Sequence, residues 1–322
     1  MSIQVEDYYA RDTFNKMKAF ADTQETPFVV IDTAMISKAY DDLRAGFEFA
    51  KVYYAVKANP AVEIIDLLRD KGSSFDIASI YELDKVMDRG VSPDRISYGN
   101  TIKKSKDIRY FYDKGVRLFS TDSEADLRNI AKAAPGSKIY VRILTEGSTT
   151  ADWPLSRKFG CQTDMAMDLL ILARDLGLVP YGISFHVGSQ QRDISVWDAA
   201  IAKVKVIFER LKEEDGIVLK LINMGGGFPA NYITRTNSLE TYAEEIIRFL
   251  KEDFGDDLPE IILEPGRSLI ANAGILVSEV VLVARKSRTA VERWVYTDVG
   301  KFSGLIETMD EAIKFPIWTE KK

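Results

Sequence analysis

Val52-Tyr53-Tyr54-Ala55-Val56-Lys57-Ala58-Asn59-Pro60 is a short apolar run, rich in aromatic and β-branched side chains, that stops at a lysine and a proline-bounded turn. Its length and composition are those of a strand buried on both faces. Seven further runs of this kind follow: Ser74–Ile77, Ile96–Tyr98, Leu118–Ser120, Ile139–Ile143, Gly182–His186, Leu219–Asn223 and Glu260–Leu263. The stretches between them are long enough for right-handed βαβ crossovers. They also carry helix-start signals, such as Ser79 with Glu82 ahead of Leu83 and Val86, and Asp122-Ser123-Glu124 ahead of Leu127 and Ile130. Eight strands alternating with helices predict a TIM (β/α)8 barrel, and the strand ends then gather on one carboxyl rim.

Outside this set the pattern changes. Phe28–Ile31 precedes it, and Leu276–Ala284 and Arg293–Thr297 follow it without intervening helices. The reading is a barrel over 32–272 and a second, mostly β domain assembled from 1–31 and 273–322. Two or three strands make a poor core, and the chain stops at Glu320-Lys-Lys322 directly after the apolar run Phe315–Trp318, so the β domain is expected to be incomplete at its C-terminus.

Composition narrows the function. The 322 residues are 46% hydrophobic and 29% charged, which is ordinary for a globular protein. A net charge of -6 argues against a general nucleic-acid surface, and no stretch of 18 or more apolar residues could span a bilayer. Met1-Ser-Ile-Gln-Val-Glu-Asp-Tyr-Tyr9 lacks the basic start and apolar core of a signal peptide. A single cysteine, Cys161, permits no internal disulfide, which fits the cytoplasm; it reads as a small buried hydrophobe ahead of a helix starting near Thr163. No metal site is expected. The substrate expected is a small soluble molecule.

Several polar residues fall where strands end. Lys57, flanked by Tyr54, Ala55 and Val56, is expected to be partly desolvated, which favours a neutral amine able to bond covalently to a carbonyl. Gly225, Gly226 and Gly227 free the backbone to aim N–H groups at an anion, but their spacing is neither a P-loop nor a dinucleotide fingerprint. Ser189 and Gly266 are further donors, and Arg267 can balance a phosphate or carboxylate. Glu264 follows Ile261-Ile262-Leu263, where a carboxylate needs a partner, either a protonated ring nitrogen or an arginine such as Arg267 or Arg142. His186, the sole histidine, can stack a flat ring on a cofactor face. Asp76 can contact the lysine amine and Arg142 a phenolic oxygen or substrate carboxylate; each also reads as half of a rim salt bridge. A lysine, a ring-stacking histidine, a phosphate cradle and a carboxylate on one rim describe a pyridoxal 5'-phosphate (PLP) site.

Tyr54-Ala-Val-Lys-Ala-Asn59, Phe75-Asp-Ile-Ala-Ser79, Ser184-Phe-His-Val-Gly-Ser189, Gly225-Gly-Gly-Phe-Pro229 and Glu264-Pro-Gly-Arg267 together resemble the fold type III PLP decarboxylases, whose architecture is alanine racemase-like. Within them the chain is most similar to the ornithine and lysine/ornithine decarboxylase family. The resemblance implies that Lys57 carries the cofactor, His186 stacks on its ring and Glu264 pairs with the ring nitrogen. It implies that Ser189, Gly225–Gly227 and Arg267 hold the phosphate, with Asp76 and Arg142 beside the lysine and the cofactor. The implied reaction is decarboxylation of L-ornithine to putrescine, and of L-lysine to cadaverine, in polyamine biosynthesis by a homodimer with shared active sites. Asp310, in Glu307-Thr-Met-Asp310-Glu311, aligns best with the family's amine-binding aspartate. The family continues into a segment with a Cys-Asp pair and a tyrosine that nothing here matches, so a fragment and a shortened homologue both stay open, as does a non-catalytic binding protein. Diaminopimelate decarboxylase shares most of these motifs but would need a further arginine for its second carboxylate. Alanine racemase is disfavoured by a carboxylate at the position of Glu264.

Overall fold

A computed structural model describes residues 3–145, 150–153 and 158–320. Fourteen strands are present among them: β1 Phe28–Ile31, β2 Ala50–Ala55, β3 Ser74–Ile77, β4 Ile96–Tyr98, β5 Leu118–Thr121, β6 Lys138–Arg142, β7 Ala151–Trp153, β8 Val179–Ser184, β9 Ser189–Gln191, β10 Leu221–Asn223, β11 Glu260–Leu263, β12 Gly274–Val277, β13 Val280–Ala284 and β14 Trp294–Thr297. The order β10-β11-β2-β3-β4-β5-β6-β8 closes into a barrel of parallel strands, and all eight apolar runs supply it. Tyr53, Tyr140, Leu221 and Ile262 pack inside it and Ser97 Oγ hydrogen-bonds Tyr140 Oη at 2.7 Å, so its centre is filled by side chains and the chemistry is left to the ends.

The helices form where the sequence placed their starts. Ser79 caps Ile80–Asp88 by accepting from the Glu82 N–H at 3.3 Å, and Glu82 reaches back to the Ala78 N–H at 2.7 Å. Ser123 stands at the N-cap of Glu124–Ala133, though its hydroxyl makes no capping bond. The helix after Cys161 spans Thr163–Asp175.

The chain divides into two compact units, Met1–Ile36 with Ala230–Thr236 and Ile270–Lys322, and Ser37–Pro229 with Asn237–Leu269. The second unit holds the barrel. The first holds two antiparallel two-stranded sheets, β1 with β12 and β13 with β14. The expected single strand Leu276–Ala284 is two strands, because its halves take different partners and the break at Ser278-Glu279 is held by the Glu279 N–H donating to Asp298 Oδ1 at 3.0 Å. The apolar run Phe315–Trp318 forms no strand; Phe315 packs edge-on to Tyr232 at 5.0 Å and Trp318 to Phe14 at 5.1 Å. The terminal residues Met1, Ser2, Lys321 and Lys322 lie outside the described residues.

Candidate active site

The barrel's carboxyl rim is knitted together by main chain. The Ala55 N–H donates to Pro265 O at 3.1 Å, joining the loop that carries Lys57 to the one that carries Glu264. The Glu264 N–H donates to Gly225 O at 2.8 Å, and Phe185 N–H to Asn223 O at 3.0 Å. The Gln191 N–H closes the circuit on Gly227 O at 2.9 Å. Lys57, Asp76, Arg142, His186, Ser189, Gly225, Gly226, Gly227, Glu264, Gly266 and Arg267 all belong to the barrel unit, on strand ends or the loops that follow them. Asp310 belongs to the other unit, exposed, with a positive φ of 53°.

Lys57 departs from expectation. β2 ends at Ala55 and a 3-10 turn over Val56–Ala58 lifts the lysine off the strand end, so it is exposed rather than partly desolvated. No ion pair to it forms among the described residues. Its charge still reaches inward, since it disfavours protonation of His186 and favours the ionised form of Asp76.

His186 lies two residues beyond the end of β8, in a loop rather than on the strand. Its Nδ1 accepts from the Gly188 N–H at 3.0 Å, which places the proton of the neutral ring on Nε2. Burial, with Arg142 and Lys57 nearby, holds its pKa well below the ordinary value. The ring is therefore neutral at pH 7. Its backbone is fixed by Thr145 Oγ1 donating to His186 O at 2.9 Å.

Asp76, in β3, is buried, and its Oδ1 has no hydrogen-bond partner. Burial raises its pKa well above the ordinary value and Glu264 adds to the rise, while Lys57 and Arg142 oppose it. A Cβ on Gly99 would overlap the Asp76 carboxylate, so no other residue at 99 leaves that acid in place. An orphaned buried acid beside a second carboxylate and two cations is a group awaiting a partner.

The glycine loop is shaped by exclusion. Gly225 has φ 62° and its Cβ would overlap Phe185 O; a Cβ on Gly226 would stand 2.6 Å from Glu264 O. Side chains are thus barred from a strip of backbone between His186 and Glu264, as an anion cradle requires. Half-buried Glu264 takes the Asn223 amide on Oε1 at 2.5 Å.

Arg142 ends β6, the strand paired with β8, and lies over the Phe159 ring at 5.3 Å. Cys161 is half-buried rather than a fully buried hydrophobe, because its N–H pairs with Arg142 O at 3.0 Å and keeps it at the rim. Burial and Asp122 push its thiol up to about 12, so it is no thiolate nucleophile. Ser189 opens β9, which pairs with β7, a contact that the apolar runs do not signal.

Two further features have little signature in the sequence. Asn223 passes as the last residue of an apolar strand, although a polar side chain two residues before Gly225 is a usable signal. Lys103, one lysine among many in a chain whose basic residues are mostly solvated, has a fully buried side chain and binds Asp126 Oδ2 at 2.7 Å, Ser120 O at 2.6 Å and Asn100 O at 2.9 Å.

These residues fit PLP: a cradle free of Cβ atoms for the phosphate, a neutral ring for stacking, a carboxylate with an oxygen to offer the ring nitrogen, and an accessible lysine amine. Comparison with known proteins agrees. The family described as pyridoxal-dependent decarboxylase, pyridoxal binding domain, matches residues 33–271. Ornithine decarboxylase of Saccharomyces cerevisiae is 33% identical over 283 residues, covering 88% of this chain and 59% of the yeast protein. Antizyme inhibitor 2 of Xenopus laevis is 31% identical over 283 residues, 86% of this chain and 60% of that protein. Lysine/ornithine decarboxylase of Vibrio vulnificus, solved with cadaverine, superposes with a TM-score of 0.87 at 25% identity, over 97% of this chain and 82% of that one. The chain thus spans about three fifths of the yeast and Xenopus proteins it matches. The cofactor that the rim accommodates is PLP, and the chain belongs to the pyridoxal-dependent decarboxylases.

Proposed function

We propose that this site decarboxylates L-ornithine to putrescine, and L-lysine to cadaverine. The observation that carries the proposal is the carboxylate of Glu264 on the same rim as the neutral ring of His186. Lys57 supplies the amine that anchors the cofactor and yields to the substrate's own amine. Gly225, Gly226 and Gly227, with Ser189, Gly266 and Arg267, hold the phosphate. His186 covers the ring face without adding charge. Glu264 keeps the ring nitrogen protonated, and Asp76 and Arg142 set the charge beside the lysine. When bound, PLP supplies the electron sink for the pair left at Cα as CO2 departs. Asp310 receives the substrate's distal amine. The domain limits 32–272 and 1–31 with 273–322 belong to this proposal, supported for the barrel by the family match over 33–271. So do a homodimer with shared sites, a place in polyamine biosynthesis and a cytoplasmic location; among the described residues no helix is long and apolar enough to cross a membrane.

The Xenopus relative favours one second reading, a binding protein without catalysis. The test is mass-spectrometric product analysis of PLP-loaded protein with L-ornithine, L-lysine and meso-diaminopimelate, beside Lys57→Ala. Putrescine and cadaverine that depend on Lys57 are expected. No product from either diamine precursor would leave the second reading.

A further inference from the structure

Asn223, the last residue of β10, is completely buried, and both ends of its side-chain amide are committed. Its Oδ1 accepts from the Gly225 N–H at 2.9 Å, and its Nδ2 donates to Glu264 Oε1 at 2.5 Å. The orientation is forced, since a backbone N–H can only donate and so Oδ1 must face it. The strand beneath is rigid: β10 pairs with β8 on one side and β11 on the other, Asn223 standing opposite Ser184 and Ile262. One amide therefore couples the phosphate cradle to the carboxylate that serves the ring nitrogen.

We infer that Asn223 is a positioning residue that fixes Glu264 and the first glycine of the cradle in a single geometry. The inference rests on the reading of Glu264 as partner of the ring nitrogen. A carboxylate has room for several donors, and occupying Oε1 leaves Oε2 for the cofactor while restraining rotation of the group. Aspartate has nearly the same shape and can still accept from Gly225. It meets Glu264 as carboxylate against carboxylate, however, and the pair must share a proton to survive at this distance. Alanine removes both contacts.

The test is a double-mutant cycle read on the dissociation constant of PLP, titrated by absorbance on the full chain. Asn223→Ala should weaken PLP about tenfold or more. In a Glu264→Gln background the same change should cost several-fold less than in the wild-type background, because the carboxylate it positions is already gone and only the contact to the Gly225 N–H remains to be lost. Asn223→Asp should match wild type near pH 6 and fall behind it as the pH rises to 8.5 and the shared proton is lost. An equal penalty in both backgrounds would overturn the inference. So would a ratio of Asn223→Asp to wild type that does not change with pH, and this arm decides if Asn223→Ala fails to fold. Because the readout is binding, a chain that takes up PLP yet decarboxylates nothing refutes the proposed activity and still decides the role of Asn223. A wild-type chain that takes up no PLP refutes both.

Discussion

Two lysines sit on strand-end loops of the same barrel, one after β2 and one after β4, and have opposite surroundings. Lys103 is sealed: its ammonium meets Asp126 Oδ2 at 2.7 Å and two backbone carbonyls, its side chain has no exposure, and Thr121 Oγ1 gives Asp126 Oδ2 a second bond at 2.8 Å. Lys57 is open: it is exposed, among the described residues no carboxylate forms an ion pair with it, and nearby Asp76 keeps an Oδ1 without a partner. Both loops could have evolved a closed ion pair. Both acids keep a buried Oδ1 without a partner, Asp126 as well as Asp76, so it is the lysine that separates the two loops: the one that closed its ion pair has no amine to offer, and the one that did not keeps an amine within reach of a cofactor.

Substituting each lysine should give contrasting losses. Lys57→Ala is expected to abolish amine product while the thermal unfolding of the ligand-free chain stays where it was, since the exposed side chain supports no packing; a large drop in unfolding temperature would break the contrast. Lys103→Met should do the reverse. It strands a buried carboxylate that burial already pushes upward, at a cost of about 3–5 kcal/mol in urea unfolding. Replacing Asp126 with leucine as well should return most of that stability.

Legibility in the sequence followed the same division. All eight barrel strands could be read because a strand buried on both faces has a continuous apolar signature, and the rim residues because they interrupt such runs. Lys103 could not, since Lys103-Lys104 ahead of Ser105 has the pattern of a solvated helix start and only the fold brings Asp126 to it. Asn223 was hidden inside the strand it ends. The exposure of Lys57 depends on a three-residue turn that leaves no periodicity. The break between β12 and β13 is likewise set by partners far along the chain, and so is the β7–β9 pair.

A smaller effect should come from Asp76. Burial and Glu264 raise its pKa, so the native chain keeps a proton there at pH values where the unfolded chain has released it. The stability tied to that proton is present below the unfolded pKa of about 3.9 and is lost as the pH climbs through the raised native value. Asp76→Asn should therefore gain on wild type, by about 1–3 kcal/mol in the ligand-free chain, between acidic and neutral pH, with PLP affinity reduced. Parallel pH profiles of the urea midpoint would show that the acid is satisfied after all. The smallest effect is expected at Cys161, whose thiol lies near 12 and stays protonated at neutral pH. Cys161→Ala should change stability by less than about 1 kcal/mol and leave PLP binding as it was; loss of binding would move the site's edge toward Arg142.

The central claim is that the open lysine, and not the sealed one, carries the cofactor. Borohydride reduction of the PLP-loaded chain followed by peptide mapping by mass spectrometry reads this directly. The reduced pyridoxyl adduct is expected on the peptide containing Lys57 in near-stoichiometric yield, with Lys103 unmodified. An adduct on Lys103, or one scattered over surface lysines with Lys57 unlabelled, would contradict the account.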